Sequence, residues 1–199
     1  MKRFKTYERQ RVIRSLIVIA AVITLSLTPG FANAFNKKAP HFVDTLKLHG
    51  YIDSYGNLRL NNSSFISLPS PLNVDGFLDM RRSAIKRLPQ ELTVKGHLDA
   101  SHSQLTRLPK ADIGGFINLT GSKVTVLPAG LRVNGDLSLV DTPISALPRR
   151  LNVQGNLYLG NTQVTSLPPD LRVGGNLYLR GSQVSVIPDT VKVTGRIVR

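Results

Sequence analysis

Apolar and polar residues alternate along most of this chain, in segments such as 151–159, which reads LNVQGNLYL. A period of two residues is typical of a β-strand that turns one face toward a core. A glycine stands in the middle of each segment, where a residue without a side chain favours a bend or a close approach of the backbone. The pattern therefore predicts, in each segment, two short strands that meet at an inward glycine.

The alternating segments belong to a repeat of about 20 residues. A Leu-Pro dipeptide recurs at positions 68, 88, 108, 127, 147 and 167, and Ile-Pro at 187 continues the series. The shared pattern is LPxxLxVxGxLxLxx[ST]x[IV]xx, and a degenerate unit precedes it from position 48. One unit cannot bury its apolar side chains alone, so neighbouring units must stack around a common core. The predicted fold is mainly β, a parallel β-solenoid of about eight 20-residue coils.

Two further positions of the repeat, the proline and a small hydroxyl residue, also predict local structure. Proline cannot donate to a backbone ladder, so the Leu-Pro leg of each coil is predicted to be extended and without a sheet. A small hydroxyl residue follows the second strand of each coil, where it can cap backbone groups in a turn and bond to the next coil. These residues are Ser63, Ser83, Ser103, Ser122, Thr142, Thr162 and Ser182.

Residues 1–34 have the three-part layout of a secretory signal peptide, with a predicted helix. Six basic residues and one acidic residue precede an apolar run at 15–28, and Ala-Asn-Ala at 32–34 provides small residues for cleavage after Ala34. The run is shorter than the roughly 20 residues that span a bilayer. We therefore predict a secreted or periplasmic protein, with an inner-membrane anchor as the alternative. Residues 35–47 are predicted to cap the first coil, and residues 48–199 to form the solenoid.

The composition restricts the chemistry of the chain. It contains no cysteine, which excludes disulfides, thiolate zinc sites, cysteine nucleophiles and lipid anchoring through a cysteine. Lys and Arg number 26 against 12 Asp and Glu, a net charge of +14. We expect no cofactor. No metal site is expected either, because the histidines at 41, 49, 97 and 102 lack the spacing of metal ligands.

The second half of each unit resembles a leucine-rich repeat. The segment LSLVDTPISALP at 137–148 is similar to the consensus LxLxxNxLxxLP, and the period is similar to that of the short bacterial repeats of secreted effectors. The resemblance covers roughly residues 48–199 and implies a curved right-handed solenoid with a parallel sheet on its inner face. Ser or Thr replaces the asparagine of the consensus, and a VxG element precedes the strand. The ubiquitin-ligase activity of some effectors needs a catalytic cysteine, so it is not implied here.

The resemblance implies that exposed side chains of this sheet carry binding. They occupy positions 10, 12 and 14 of each unit, and aromatic residues there favour a binding surface. The alternative is ordinary cross-strand stacking, since Tyr158 and Tyr178 are one coil apart. The predicted ligand-binding face consists of Phe77, Asp79, His97, Asp99, Phe116, Tyr158, Tyr178 and Arg180.

Two groups of residues on this face are of the kinds found in catalytic sites. Asp79 and Asp99 occupy the same position in adjacent coils, so their carboxylates would lie about 5 Å apart, near the separation in a retaining glycosidase. A solvated surface beside nearby arginines is the alternative, because no enclosing pocket is evident. His97, Asp99 and Ser101 point the same way on one strand, but spacings of about 6–7 Å do not make a proton relay.

Six basic residues cluster near the coil junctions between positions 81 and 110. They are predicted to form a patch for a polyanion such as lipopolysaccharide, an acidic glycan or a membrane surface. A charged, solubilising edge is the alternative, and the export signal disfavours nucleic acid as a partner. The patch consists of Arg81, Arg82, Lys86, Arg87, Arg107 and Lys110.

The sequence as a whole predicts an exported binding module without catalysis, whose partner is a protein or an anionic envelope or glycan ligand. One alternative is a structural envelope protein that assembles through open solenoid ends, where an unpaired strand edge lies beside Lys192, Arg196 and Arg199. The other alternative is a carbohydrate-active enzyme that uses Asp79 and Asp99.

Overall fold

The computed structural model describes residues 49–199, which form a parallel β-solenoid of stacked coils of about 20 residues, as the repeat predicts. The predicted signal peptide at 1–34, its alternative as a membrane anchor, and the predicted cap at 35–47 lie outside the described residues. Within 49–199, no helix combines the length and the apolar character needed to cross a membrane.

Eight short strands, one from each coil, stack in chain order into a single parallel sheet, the front sheet. Pairing joins equivalent positions of the repeat, for example Leu157 with Leu177 and Tyr158 with Tyr178. The first residue of each strand is buried except in the last, where Ile197 is exposed. The second residue points to the outer side of the sheet, which we call the front face. The strands are β1 (Leu58–Arg59), β3 (Leu78–Asp79), β5 (Leu98–Asp99), β7 (Ile117–Asn118), β9 (Leu137–Ser138), β11 (Leu157–Tyr158), β13 (Leu177–Tyr178) and β15 (Ile197–Val198).

The leg of each coil that precedes the glycine builds the second side of the solenoid. Its strands form two parallel sheets, of three and four strands. The break between them coincides with the repeat that begins at Leu108, which is one residue shorter than its neighbours. The first sheet contains β2 (Leu72–Val74), β4 (Leu92–Val94) and β6 (Asp112–Ile113), and the second contains β8 (Arg132–Val133), β10 (Asn152–Val153), β12 (Arg172–Val173) and β14 (Lys192–Val193).

The Leu-Pro leg forms the third side and contains no strand among the described residues, as predicted from its prolines. Single parallel bridges join some neighbouring coils here, such as Arg87 with Arg107 and Ser166 with Val186. These bridges lie just before the Leu-Pro dipeptides. Proline then ends the pairing, because it has no N–H to donate.

The inward columns of the repeat fill one aliphatic core, made mainly of Leu, Ile and Val side chains with Met80 and Ala100 among them. The alternation predicts that the glycine column points into this core, and this prediction is wrong. A Cβ on Gly96 would instead lie 2.9 Å from the carbonyl oxygen of Gly76, so it would point at the backbone of the preceding coil. The two glycines approach closely because the Gly96 N–H donates to that same oxygen, at 2.9 Å. A side chain at Gly96 is therefore excluded by the lack of space beside the preceding coil, and not by the backbone conformation.

Three members of the hydroxyl column, Ser103, Thr142 and Thr162, cap a turn as predicted, but through a bond within their own coil instead of the predicted bond to the next coil. Within 49–199, the buried side-chain hydroxyls of the other four make no hydrogen bond; these are Ser63, Ser83, Ser122 and Ser182. Ser103 Oγ donates to the carbonyl of Ala100 at 2.6 Å, and Thr142 Oγ1 donates to that of Leu139 at 2.6 Å. The backbone N–H of Thr142 bonds to the same carbonyl. The turn brings this oxygen within reach of the hydroxyl, so the bond forms locally.

Candidate functional site

The front face carries two parallel columns of side chains. The first column comes from the residue before each strand, and the second comes from the second residue of each strand. Because the strands are in register, each column holds one side chain per coil at a spacing of about 4.8 Å. The first column is Asn57, Phe77, His97, Phe116, Asp136, Asn156, Asn176 and Arg196, and the second is Arg59, Asp79, Asp99, Asn118, Ser138, Tyr158, Tyr178 and Val198.

Three rings of the first column form a continuous stack. His97 lies between Phe77 and Phe116, with ring centroids 4.8 and 4.2 Å away and interplanar angles of 15° and 13°. The guanidinium carbon of Arg59 lies 4.7 Å from the centroid of Phe77 and closes one end of the stack. The other end is open, and Phe116 is 40% exposed there. The predicted residues Phe77, His97 and Phe116 are thus brought together as one unit.

The environment of His97 disfavours its protonation. Burial between the two phenyl rings lowers the pKa of His97, and the nearby carboxylates of Asp99 and Asp79 oppose this shift without reversing it. A histidine whose pKa is lower in the folded state binds fewer protons there than in the unfolded state. It contributes stability above its ordinary pKa of about 6.5 and loses that contribution as the pH falls.

The stack therefore predicts a pH-dependent stability. We expect the free energy of unfolding of the wild-type chain to fall between pH 7.5 and 5.5 more steeply than that of His97→Phe, which keeps the stacked ring but cannot be protonated. Urea titrations at several pH values measure both slopes. Parallel slopes would show that His97 does not contribute to the pH dependence.

Asp79 is not available on the front face, contrary to the prediction. Asp79 is only 4% exposed. Its carboxylate accepts two hydrogen bonds from the Arg81 guanidinium, at 2.9 and 2.7 Å, and one from the backbone N–H of Arg81. Burial raises the pKa of Asp79, but these hydrogen bonds outweigh it and hold the pKa below its ordinary value. Asp79 and Asp99 are in register, as predicted. A general acid of a glycosidase needs a raised pKa, however, so this arrangement disfavours Asp79 as a proton donor.

Tyr158 and Tyr178 form a second stack in the second column. Their centroids are 4.7 Å apart and their planes differ by 3°, so they adopt the cross-strand stacking that the sequence offers as the alternative to a binding surface. The hydroxyl of Tyr158 approaches the Asp136 carboxylate at 3.5 Å, and the amide of Asn176 donates to the hydroxyl of Tyr178 at 3.3 Å. The stack exposes one ring face of Tyr158 toward the preceding coils.

A shallow depression separates the two aromatic stacks. Phe116 and Tyr158 bound it, because the coil between them carries the shorter side chains Asp136 and Ser138. Its volume is about 600 Å³, and it is open to solvent. Hydrogen-bonding groups lie between the rings, including a hydroxyl pair of Thr120 and Ser138 at 2.7 Å. The depression is lined by Phe116, Ile117, Asn118, Thr120, Gly135, Asp136, Ser138 and Tyr158.

Sequence reasoning missed a ladder of polar side chains in the first column. The side-chain oxygen of Asp136 accepts the backbone N–H of Asn156 at 2.7 Å, and the same contact joins Asn156 to Asn176 and Asn176 to Arg196, each at 2.8 Å. Asn57 accepts the N–H of Phe77 in the same way at 3.0 Å. The recurrence of Asp or Asn before the strand in successive coils is the sequence signal that points to this ladder.

The remaining predicted residues are distributed over several sides of the solenoid. Arg81 is engaged with Asp79 at the front face, and Arg82 occupies a left-handed turn with φ of 53°. Arg87 and Arg107 line a common depression on the third side. Lys110 lines other depressions, together with Arg132. Lys86 and Arg180 are exposed, and Arg180 does not line the depression between the stacks.

Among residues 49–199, no group of three or more His, Cys, Asp or Glu side chains could hold a metal ion. Comparison with known protein families, with curated proteins and with solved structures finds no match to this chain.

Proposed function

We propose that this protein is an exported binding module of the leucine-rich-repeat type, which recognises a glycan at its front face and carries out no catalysis. The signal-peptide layout of residues 1–34 supports export to the periplasm or the medium. The parallel stacking of 20-residue coils that end in Leu-Pro supports the relationship to leucine-rich repeats.

The observation that carries the proposal is the depression between Phe116 and Tyr158. Aromatic faces that bound polar groups suit a sugar ring, whose C–H face packs on an aromatic ring while its hydroxyls form hydrogen bonds. Asn118, Asp136 and Ser138 supply an amide, a carboxylate and a hydroxyl. The two rings belong to coils two steps apart, about 9.6 Å along the axis, and stand in different columns of the front face, so they border the depression diagonally.

The charge of the depression selects among glycans. Asp136 lines it, and a negatively charged sugar would meet this carboxylate at close range. An uncharged sugar is therefore the favoured ligand here, rather than the anionic glycan that the net charge of the chain suggests.

Affinity electrophoresis tests this proposal, with hydroxyethyl cellulose, laminarin and xylan as uncharged probes and alginate as an anionic one. The wild-type chain should be retarded by an uncharged probe, and Tyr158→Ala should weaken the retardation at least tenfold because one ring face of the depression is lost. A tenfold loss corresponds to about 1.4 kcal/mol.

Tyr178→Ala is the matched control. This variant breaks the same stack, so it should lower the free energy of unfolding by a similar amount. Tyr178 does not line the depression, so we expect less than a threefold effect on retardation. Equal losses in the two variants would assign both rings to packing. Retardation by none of the uncharged probes would contradict the glycan proposal.

A further inference from the structure

The third side of the solenoid has an unusual charge distribution. The part of this side that precedes the Leu-Pro dipeptide consists of positions 16–20 of each unit, from the hydroxyl residue to the last residue before the dipeptide. Across residues 63–186 these positions contain no acidic residue, whereas they contain Lys86, Arg87, Arg107 and Lys123. All four basic residues belong to three successive coils and are exposed.

Arg87 and Arg107 are in direct register on this side. They are joined by a parallel bridge, so their side chains leave adjacent coils about 4.8 Å apart. Like charges placed directly opposite each other destabilise a sheet. The ion pairs found among residues 49–199 join Arg59 to Asp53, Arg81 to Asp79 and Lys95 to Asp75, and neither Arg87 nor Arg107 takes part in one.

The two arginines are specific to these coils. The same position in the other repeats is Ser67, Val126, Ala146, Ser166 or Val186. A general solubilising edge would distribute its charges over all coils, whereas here two guanidinium groups are adjacent and the neighbouring coils are uncharged at this position. The placement indicates a local function for the pair.

The pair borders a depression of about 290 Å³. Leu88 and Pro109 contribute buried apolar surface, and the amide side chain of Gln90 also lines it. The hydroxyls of Thr106 and Thr125 donate to backbone carbonyls of the preceding coils, at 3.1 and 3.4 Å. The guanidinium groups and the Gln90 amide therefore remain as donors for a ligand.

We propose that Arg87 and Arg107 together bind a phosphate or sulfate group between adjacent coils, and that Lys86 and Lys123 extend the site along a polyanionic ligand. A guanidinium group presents its N–H donors in a planar fork that matches a tetrahedral oxyanion. The bound anion also removes the repulsion within the pair. The site lies on a different side from the proposed glycan site and does not rest on it.

Calorimetric titration of the full chain with tripolyphosphate, at low ionic strength, tests the site. We expect Arg87→Gln/Arg107→Gln to weaken binding at least tenfold. The control Arg132→Gln/Arg172→Gln removes two exposed arginines from the second side and lowers the net charge equally, and it should weaken binding less than threefold. The six basic residues of 1–14 are common to all variants, so their contribution cancels. Equal losses in both double variants, with tripolyphosphate and also with the phospholipid vesicles described below, would overturn the proposal. No binding by the wild-type chain to either of these two probes would overturn it too.

Thermal unfolding gives a second readout. Tripolyphosphate should raise the Tm of the wild-type chain and of the control, but not that of Arg87→Gln/Arg107→Gln. Without ligand, this last variant should melt at the wild-type temperature or above it, because the repulsion has been removed. A Tm increase that is the same in all three proteins would contradict a site at this pair.

Vesicles distinguish the source of the phosphate group. Sedimentation with phosphatidylglycerol vesicles, compared with phosphatidylcholine vesicles, measures binding to a lipid headgroup. If only vesicle binding depends on Arg87 and Arg107, the ligand is a headgroup phosphate. If tripolyphosphate binding depends on them, the site accepts a soluble phosphate compound. Either dependence supports the site, and dependence of neither probe on this pair refutes it.

Discussion

Gly155→Ala is expected to lower the free energy of unfolding by about 3 kcal/mol, at the upper end of the usual cost of overpacking. A Cβ at this position would lie 2.7 Å from the carbonyl carbon of Gly135 and 2.8 Å from the backbone nitrogen of Asp136. Both atoms belong to the backbone of the preceding coil, so neither can move aside by a rotamer change. Relief would require the coils to separate, which would break the N–H to carbonyl bond of 3.0 Å between the two glycines.

Gly160→Ala in the same coil is the matched control. Its added Cβ would meet the carbonyl oxygen of Arg180 at 3.2 Å and no other atom within 3.5 Å. We expect a cost below about 1 kcal/mol, typical of a surface substitution. Urea denaturation monitored by circular dichroism measures both variants. Similar costs for the two variants would show that the close approach of the glycine column does not limit side-chain size.

Asn156→Ala is expected to cost about 2 kcal/mol, because a backbone donor between two coils loses its acceptor. The Asn156 side chain accepts the N–H of Asn176 at 2.8 Å and donates to the Asp136 carboxylate at 3.3 Å. Alanine leaves this partly buried N–H unpaired. The substitution also removes the amide that donates to Asp136.

Asn134→Ala serves as the control for the ladder. Asn134 is an exposed asparagine whose side chain makes a single hydrogen bond, to Gln154 at 3.3 Å. We expect a change within about 0.5 kcal/mol, as for most exposed positions. If the two asparagines prove equally dispensable in urea denaturation, the ladder does not hold the coils together.

The front face shows the limit of alternation as a guide to exposure. Alternation correctly places Asp79 on the outer side of the sheet, but the same rule places Arg81 on that side two residues later. The arginine folds back and covers the carboxylate, leaving it 4% exposed. A sequence period shows which face a side chain leaves from, and the neighbouring side chains decide whether it stays accessible.

The basic residues show a second limit. Arg81, Arg87 and Lys110 are close in sequence, yet they lie in different places. Arg81 lies at the front face, Arg87 on the third side, and Lys110 in a depression that Arg132 also lines. One coil turns through all three sides within 20 residues. Proximity along the chain therefore says little about proximity in space, whereas residues one repeat apart, such as Arg87 and Arg107, are neighbours.

The sequence by itself determined the coil, the core and the register, because each repeat buries its apolar residues only when equivalent positions stack. It also located the aromatic columns, since residues such as Tyr158 and Tyr178 share a repeat position. Only the tertiary structure decided where the glycines face, that Asp136, Asn156 and Asn176 bond the next coil, and that a depression opens beside Phe116. These features depend on the relative lengths and rotamers of side chains in adjacent coils, which a hydrophobic period does not record.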